Sequence, residues 1–190
     1  MYQKYNTDAL VLGSRERGEA DRVFALYTKD FGLVYARASA VRSEASRMRF
    51  ALQHYSRARF SLVRGKRGWR IGGAIAECGI GHSVKGVAVF ARIVELVVRL
   101  VRGEEKNEYL FAALAEAHRA LHVAREEVVP TIEIVCVARV LFALGYLSAE
   151  AHATTIFSHT AYSLEHLEEA ETLREKLLSS INQAISETQL

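Results

Sequence analysis

Proline is almost missing from this chain of 190 residues, with Pro130 the single instance, and its twelve glycines are scattered except for the pair Gly72-Gly73. The sequence is therefore not a low-complexity or linker-rich chain. Cysteine is as scarce. Cys78 and Cys136 are the only two, which fits a cytoplasmic protein with unpaired thiols. There is no Cys-x-x-Cys, no glycine-rich phosphate loop and no nucleophile elbow, so no enzyme activity is expected. Long uncharged apolar runs are also lacking. The most apolar window, 84–101, holds Arg92, Glu95 and Arg99 at spacings of three and four. It reads as an amphipathic helix and not a membrane span. The opening MYQKYNTDALVLG has neither a long apolar run nor a small-residue cleavage site, so no signal peptide and no membrane association are expected.

What is present is an uneven distribution of charge. The net charge is +3. Residues 1–77 carry fifteen Lys/Arg against seven Asp/Glu, a balance of +8, and residues 78–190 carry ten against fifteen, a balance of −5. Half the chain is apolar, enough for a packed core. The charge split suggests two units with different partners, the basic one facing nucleic acid or another anionic surface.

The first unit reads as strands. Residues 22–28 alternate, with Val23, Ala25 and Tyr27 opposite Phe24 and Leu26. In 33–39, Val34, Ala36 and Ala38 take one face and Leu33, Tyr35, Arg37 and Ser39 the other. A further alternation is expected over 50–64, with Ala58, Phe60 and Leu62 inward. Lys29-Asp30-Phe31-Gly32 and Arg64-Gly65-Lys66-Arg67-Gly68 are tight connections, and 69–78 is the last strand. Residues 41–49 form a loop or short helix. Five short strands separated by turns suggest a small closed barrel.

After Gly81 the apolar period becomes helical. Helices are expected over 83–102, over 107–123, and from Pro130 to just before Gly145. The third is apolar almost all round and so central. Ser163 caps a final helix with Ala170, Leu173, Leu177, Ile181 and Ala184 inward. The fold class is α+β in two units: residues 1–80 a nucleic-acid-binding barrel, residues 81–190 a helical domain.

Residues 34–70 hold ten cations and one acid, Glu44. The candidate nucleic-acid-binding residues are Arg37, Arg42, Arg47, Arg49, Arg57, Arg59, Arg64, Lys66, Arg67 and Arg70, with Arg22 just upstream. Cations neutralise phosphates and rings offer stacking faces. The clustering favours binding over a merely solvated basic face. Tyr35 and Tyr55 share faces with Arg37 and Arg57 and are the stacking candidates, whereas Phe50, Phe60 and Trp69 can serve as barrel core. His118 and His122 stand four apart, but Arg119 occupies the place where a metalloprotease helix carries its acid, so no metal site is expected. Both cysteines are expected to face the core.

The first 80 residues hold Asp8-Ala9-Leu10-Val11-Leu12, Gly18-Glu19-Ala20-Asp21-Arg22-Val23, Thr28-Lys29-Asp30-Phe31-Gly32-Leu33, Ser46-Arg47-Met48-Arg49, Ala51-Leu52-Gln53 and Tyr55. Through these stretches the chain resembles the RecO family of DNA-repair recombination mediators. Leu144-Gly145-Tyr146-Leu147 extends the resemblance more loosely. It implies an N-terminal OB-fold that binds single- and double-stranded DNA and anneals complementary strands. It also implies the partner RecR, loading of the RecA recombinase, and a helical domain that receives the C-terminal tail of single-stranded DNA-binding protein. Many members carry a four-cysteine zinc module after the Leu-Gly-Tyr stretch. Residues 148–162 contain no cysteine, so no zinc or other cofactor is expected. Two readings stand beside the mediator: an adaptor whose basic barrel or helical unit holds an acidic peptide tail, and an RNA-binding OB-fold.

Overall fold

The structure, a computed structural model, describes residues 3–17, 21–39, 48–79, 81, 83–148 and 154–188. Its contacts divide the chain into two units. One is Met1–Gly79 with Val101–Glu108, the other Ile80–Leu100 with Tyr109–Leu190.

The first unit is a closed five-stranded barrel with the α+β chain's OB-fold at its N-terminal end. Its strands are β1 (Lys4–Arg17), β2 (Asp21–Thr28), β3 (Gly32–Ala38), β4 (Arg57–Gly65) and β5 (Gly68–Cys78), ordered β1-β2-β3-β5-β4. Closure leaves no open sheet edge. The period-two pattern sends Ala9, Val11, Phe24, Leu26, Val34, Ala36, Ala58, Phe60 and Leu62 inward, all buried. Trp69 fills the core beside Tyr5 and Phe31, with ring centroids 5.5 and 5.1 Å away.

Not every expected strand residue is in a strand. Residues 50–55 form turns, and β4 begins only at Arg57. The Ser56 hydroxyl donates to the carbonyls of Ala51 and Gln53, both at 2.8 Å. That local bonding competes with the ladder. Ala51 and Leu52 still join the barrel core, while Phe50 is exposed.

Outward-facing residues of the barrel are not all wet. Leu10, Tyr27 and Leu33 lie in register across β1, β2 and β3 and are fully or almost fully buried. Residues 101–108 pack on this part of the unit. Gly32 has φ +64° and lies so close to the Glu105 backbone that a Cβ there would be 2.8 Å from the Glu105 carbonyl carbon. Burial and the nearby Glu105 push the Tyr27 hydroxyl well above the usual tyrosine range.

The second unit is helical: α1 (Val84–Leu100), α2 (Glu108–Val123), α3 (Val129–Ala143), α4 (Leu164–Thr172) and α5 (Arg174–Glu187). Pro130 sits in the first turn of α3, and Gly145 ends it at φ +81°. The amide of Tyr146 donates to the Leu141 carbonyl at 2.8 Å, a Schellman closure. The apolar surround expected of α3 is interrupted by a buried charge. Arg139 is fully buried and donates to the carbonyls of Ile156, Thr160 and Ala161 at 2.9, 2.8 and 3.1 Å. Its guanidinium lies 4.7 Å from the Tyr162 ring centroid. The expected single last helix is two, broken at Leu173, though the inward residues Ala170, Leu177, Ile181 and Ala184 are as the pattern indicates. Cys136 is buried, but Cys78, at the end of β5, is exposed, contrary to the sequence expectation.

Candidate nucleic-acid interface

A groove of about 700 Å³ opens on the barrel over β2 and β3, lined by six cations: Arg15, Arg17, Arg37, Lys66, Arg67 and Arg70. Val23 and Tyr35 form part of its wall. Among the described residues, no acidic side chain lines it.

Strand register explains the convergence. Arg15 pairs with Val23, Val23 with Arg37, and Arg37 with Arg70, so one row crosses β1, β2, β3 and β5. Neighbouring strands in register present their side chains on one face. The adjacent row is Gly13, Ala25 and Tyr35. Gly13 and Ala25 are small, and Tyr35 stands 52% exposed, leaving its ring accessible. Lys66 and Arg67 come from the β4–β5 tip, where Gly68 adopts φ +94°.

Arg15 and Arg17 reach the groove because β1 is irregular. Val11 pairs with Leu26, and the next pair in the ladder is Gly13 with Ala25, which leaves Leu12 as an extra residue. A one-residue bulge exchanges the faces of everything beyond it. Leu10 and Arg15, an odd number of residues apart, therefore face the same side.

The cations differ in what already holds them. Arg37 donates through Nε to Asp21 Oδ2 at 2.7 Å and through Nη2 to the same oxygen. Arg15, Arg17, Lys66, Arg67 and Arg70 form no ion pair among the described residues.

Of the residues singled out from sequence, Arg37, Lys66, Arg67, Arg70 and Tyr35 meet in this groove. Arg57 and Arg59 do not line it. They project from β4 beside Asp8 and Glu77, with Arg57 Nε 3.1 Å from Glu77 and Arg59 Nε 3.3 Å from Asp8. Arg64 is 3.3 Å from Glu104 and lies over the Trp69 ring at 5.2 Å. Arg49 covers Phe50 at 5.0 Å in the turns before β4. Tyr55 follows there at φ +63°, its ring 6.0 Å from His54. Arg42 and Arg47 lie outside the described residues. Sequence reasoning missed Arg15 and Arg17, and the irregularity at Leu12 left no period-two signal that would have shown them on this face.

Among the described residues, no group of three or more His, Cys, Asp or Glu could hold a metal ion. His118 is buried edge-on against Phe90 at 5.3 Å, whereas His122 is exposed. No helix is long and apolar enough to cross a membrane among the same residues.

Residues 1–71, which include β1 to β4 and the start of β5, match the family model described as Recombination protein O N terminal. Over these residues the chain is similar to the RecO family. It is similar to the DNA repair protein RecO of Pelotomaculum thermopropionicum, 32% identical over 124 residues, which are 62% of this chain and 47% of that protein. The RecO of Myxococcus xanthus is 33% identical over 116 residues, 59% of this chain and 48% of that one. The RecO of Alkaliphilus metalliredigens is 26% identical over 155 residues, 80% of this chain and 61% of that one. The chain thus spans about half the length of the first two of these RecO relatives.

Proposed function

We propose that this chain is a RecO-family protein that binds single-stranded DNA in the β2–β3 groove and anneals complementary strands as a DNA-repair mediator. The observation that carries the reading is the groove itself: six convergent cations, no acid among the described lining residues and an exposed tyrosine. The face formed by the second and third strands, together with the loop between the fourth and fifth, is where OB-folds take up oligonucleotides. Arg15, Arg17, Lys66, Arg67 and Arg70 track phosphates, and Tyr35 stacks a base. Such contacts read little sequence. Annealing follows from holding two strands while screening their repulsion. That needs no chemical step, so the reading assigns no enzyme activity. Duplex DNA competes for the same cations. In keeping with the family, RecR and the tail of single-stranded DNA-binding protein are the protein partners, recombinase loading is the outcome, and the cytoplasm is the place of work.

The test is binding of a fluorescent single-stranded oligonucleotide across a salt series, with the complement added at the end. Five unpaired cations on phosphates give a log–log slope of about −3.5 for a single strand. The double change R15A/R17A makes it shallower by about 1.4. Fast pairing on addition of the complement supports annealing. Salt-insensitive binding, or none at low salt, removes the reading and leaves the basic barrel to an acidic protein partner.

A further inference from the structure

Within the groove lining, Arg37 stands apart because its charge is already matched. Its Nε and Nη2 both donate to Asp21 Oδ2, and the Asp21 side chain is 16% exposed against 42% for Arg37. Two of the five guanidinium N–H groups are thereby used, and three remain for the groove. Arg37 also occupies the middle of the cationic row, between Val23 and Arg70.

We propose that Asp21 is a positioning residue that converts Arg37 from a long-range charge into a fixed hydrogen-bond donor at the centre of the groove. The inference rests on the reading of the groove as a nucleic-acid site. Salt-dependent affinity comes from counterions displaced by cations that lack a protein partner. A guanidinium neutralised by a carboxylate displaces few. Held by two bonds to one oxygen, it can still donate to a phosphate or base edge with little loss of side-chain freedom. Arg37 and Arg70 are neighbours in one row and should nevertheless behave differently. Arg70 contributes to the salt slope, and Arg37 contributes to affinity at every salt concentration.

The experiment uses the intact chain and a fluorescent thymidine oligonucleotide, with affinity measured across a salt series for wild type, R70A, D21N, D21E and the double change D21N/R37A. R70A should make the slope shallower by about 0.7. D21N/R37A removes the matched pair and uncovers no charge, so it should weaken binding several-fold while leaving the slope as in wild type. D21N alone releases Arg37 as an unpaired cation and should steepen the slope by about 0.7, an extra loss of about 2.6-fold for a fourfold rise in salt. D21E, which keeps a carboxylate near Arg37, should keep the slope at the wild-type value. The inference is overturned if D21N/R37A flattens the slope as much as R70A does, or if D21N leaves it unchanged. The double change decides alone if D21N does not fold. A wild-type slope near zero overturns the groove reading and this inference together. A wild-type slope near −3.5 with R70A behaving as stated confines any failure to the role of Asp21.

Discussion

Replacing Gly32 with alanine tests whether residues 101–108 press on the β2–β3 turn as the structure shows. Two costs arise at this position. At φ +64° an alanine backbone is in the left-handed region, which costs roughly 1–2 kcal/mol. The added methyl would also lie 2.8 Å from the Glu105 carbonyl carbon and 3.0 Å from its amide nitrogen. Both are backbone atoms, so no side-chain rotation relieves the overlap, and crowding of this kind costs about 1–3 kcal/mol more. The sum, roughly 2–5 kcal/mol, is a large part of the stability of a typical domain. Gly68 supplies the control. It too has positive φ, +94°, but no atom of the described residues beyond its chain neighbours lies within 4 Å of its added Cβ. G68A should therefore cost only the backbone term. The protein has one tryptophan, Trp69, buried in the barrel, so urea unfolding followed by its fluorescence reports on this unit. G32A should lower the midpoint clearly more than G68A. Equal shifts would show that segment 101–108 does not rest on the turn and would refute the packing described here.

Two further outcomes follow from the helical unit and the thiols. R139A removes a buried guanidinium from three carbonyls and should destabilise the chain by about 3–5 kcal/mol, the range for breaking a buried charged interaction. R139K should not restore the loss in thermal unfolding followed by circular dichroism, because an ammonium lacks the planar fork. Thiol titration of the native chain should give one reactive equivalent, Cys78. Cys136, buried and pushed up to about 12 by desolvation, should react only on unfolding. Two equivalents in the native state would contradict its burial.

Where one face of a strand meets the core, the sequence was legible. Leu33 to Ala38 and Ala58 to Leu62 alternate, and the barrel follows them because a register slip would place Val34, Ala36 or Phe60 in water. Charge was legible as a total but not as a site. Arg57, Arg59 and Arg64 look as free in sequence as Lys66 and Arg67, yet Asp8, Glu77 and Glu104 reach them through folding. Arg139 was hidden for a related reason. Its acceptors are backbone carbonyls 17 to 22 residues away, and a carbonyl leaves no mark in the sequence. The alternation over 50–56 misled because Ser56 bonds locally. Tyr55 also takes φ +63°, a conformation that side-chain pattern does not reveal.

The bulge at Leu12 means that β1 is read in two frames. Upstream of it, even-numbered Asp8 and Leu10 face outward; downstream, odd-numbered Gly13, Arg15 and Arg17 do. Were Leu12 paired in the ladder and not bulged out of it, β1 would keep a single frame, and Ser14 and Glu16 would stand where the arginines do. The groove would exchange two positive charges for a hydroxyl and a negative one, with every residue of the chain retained. In this strand, one extra apolar residue sets the sign of the charge at the surface.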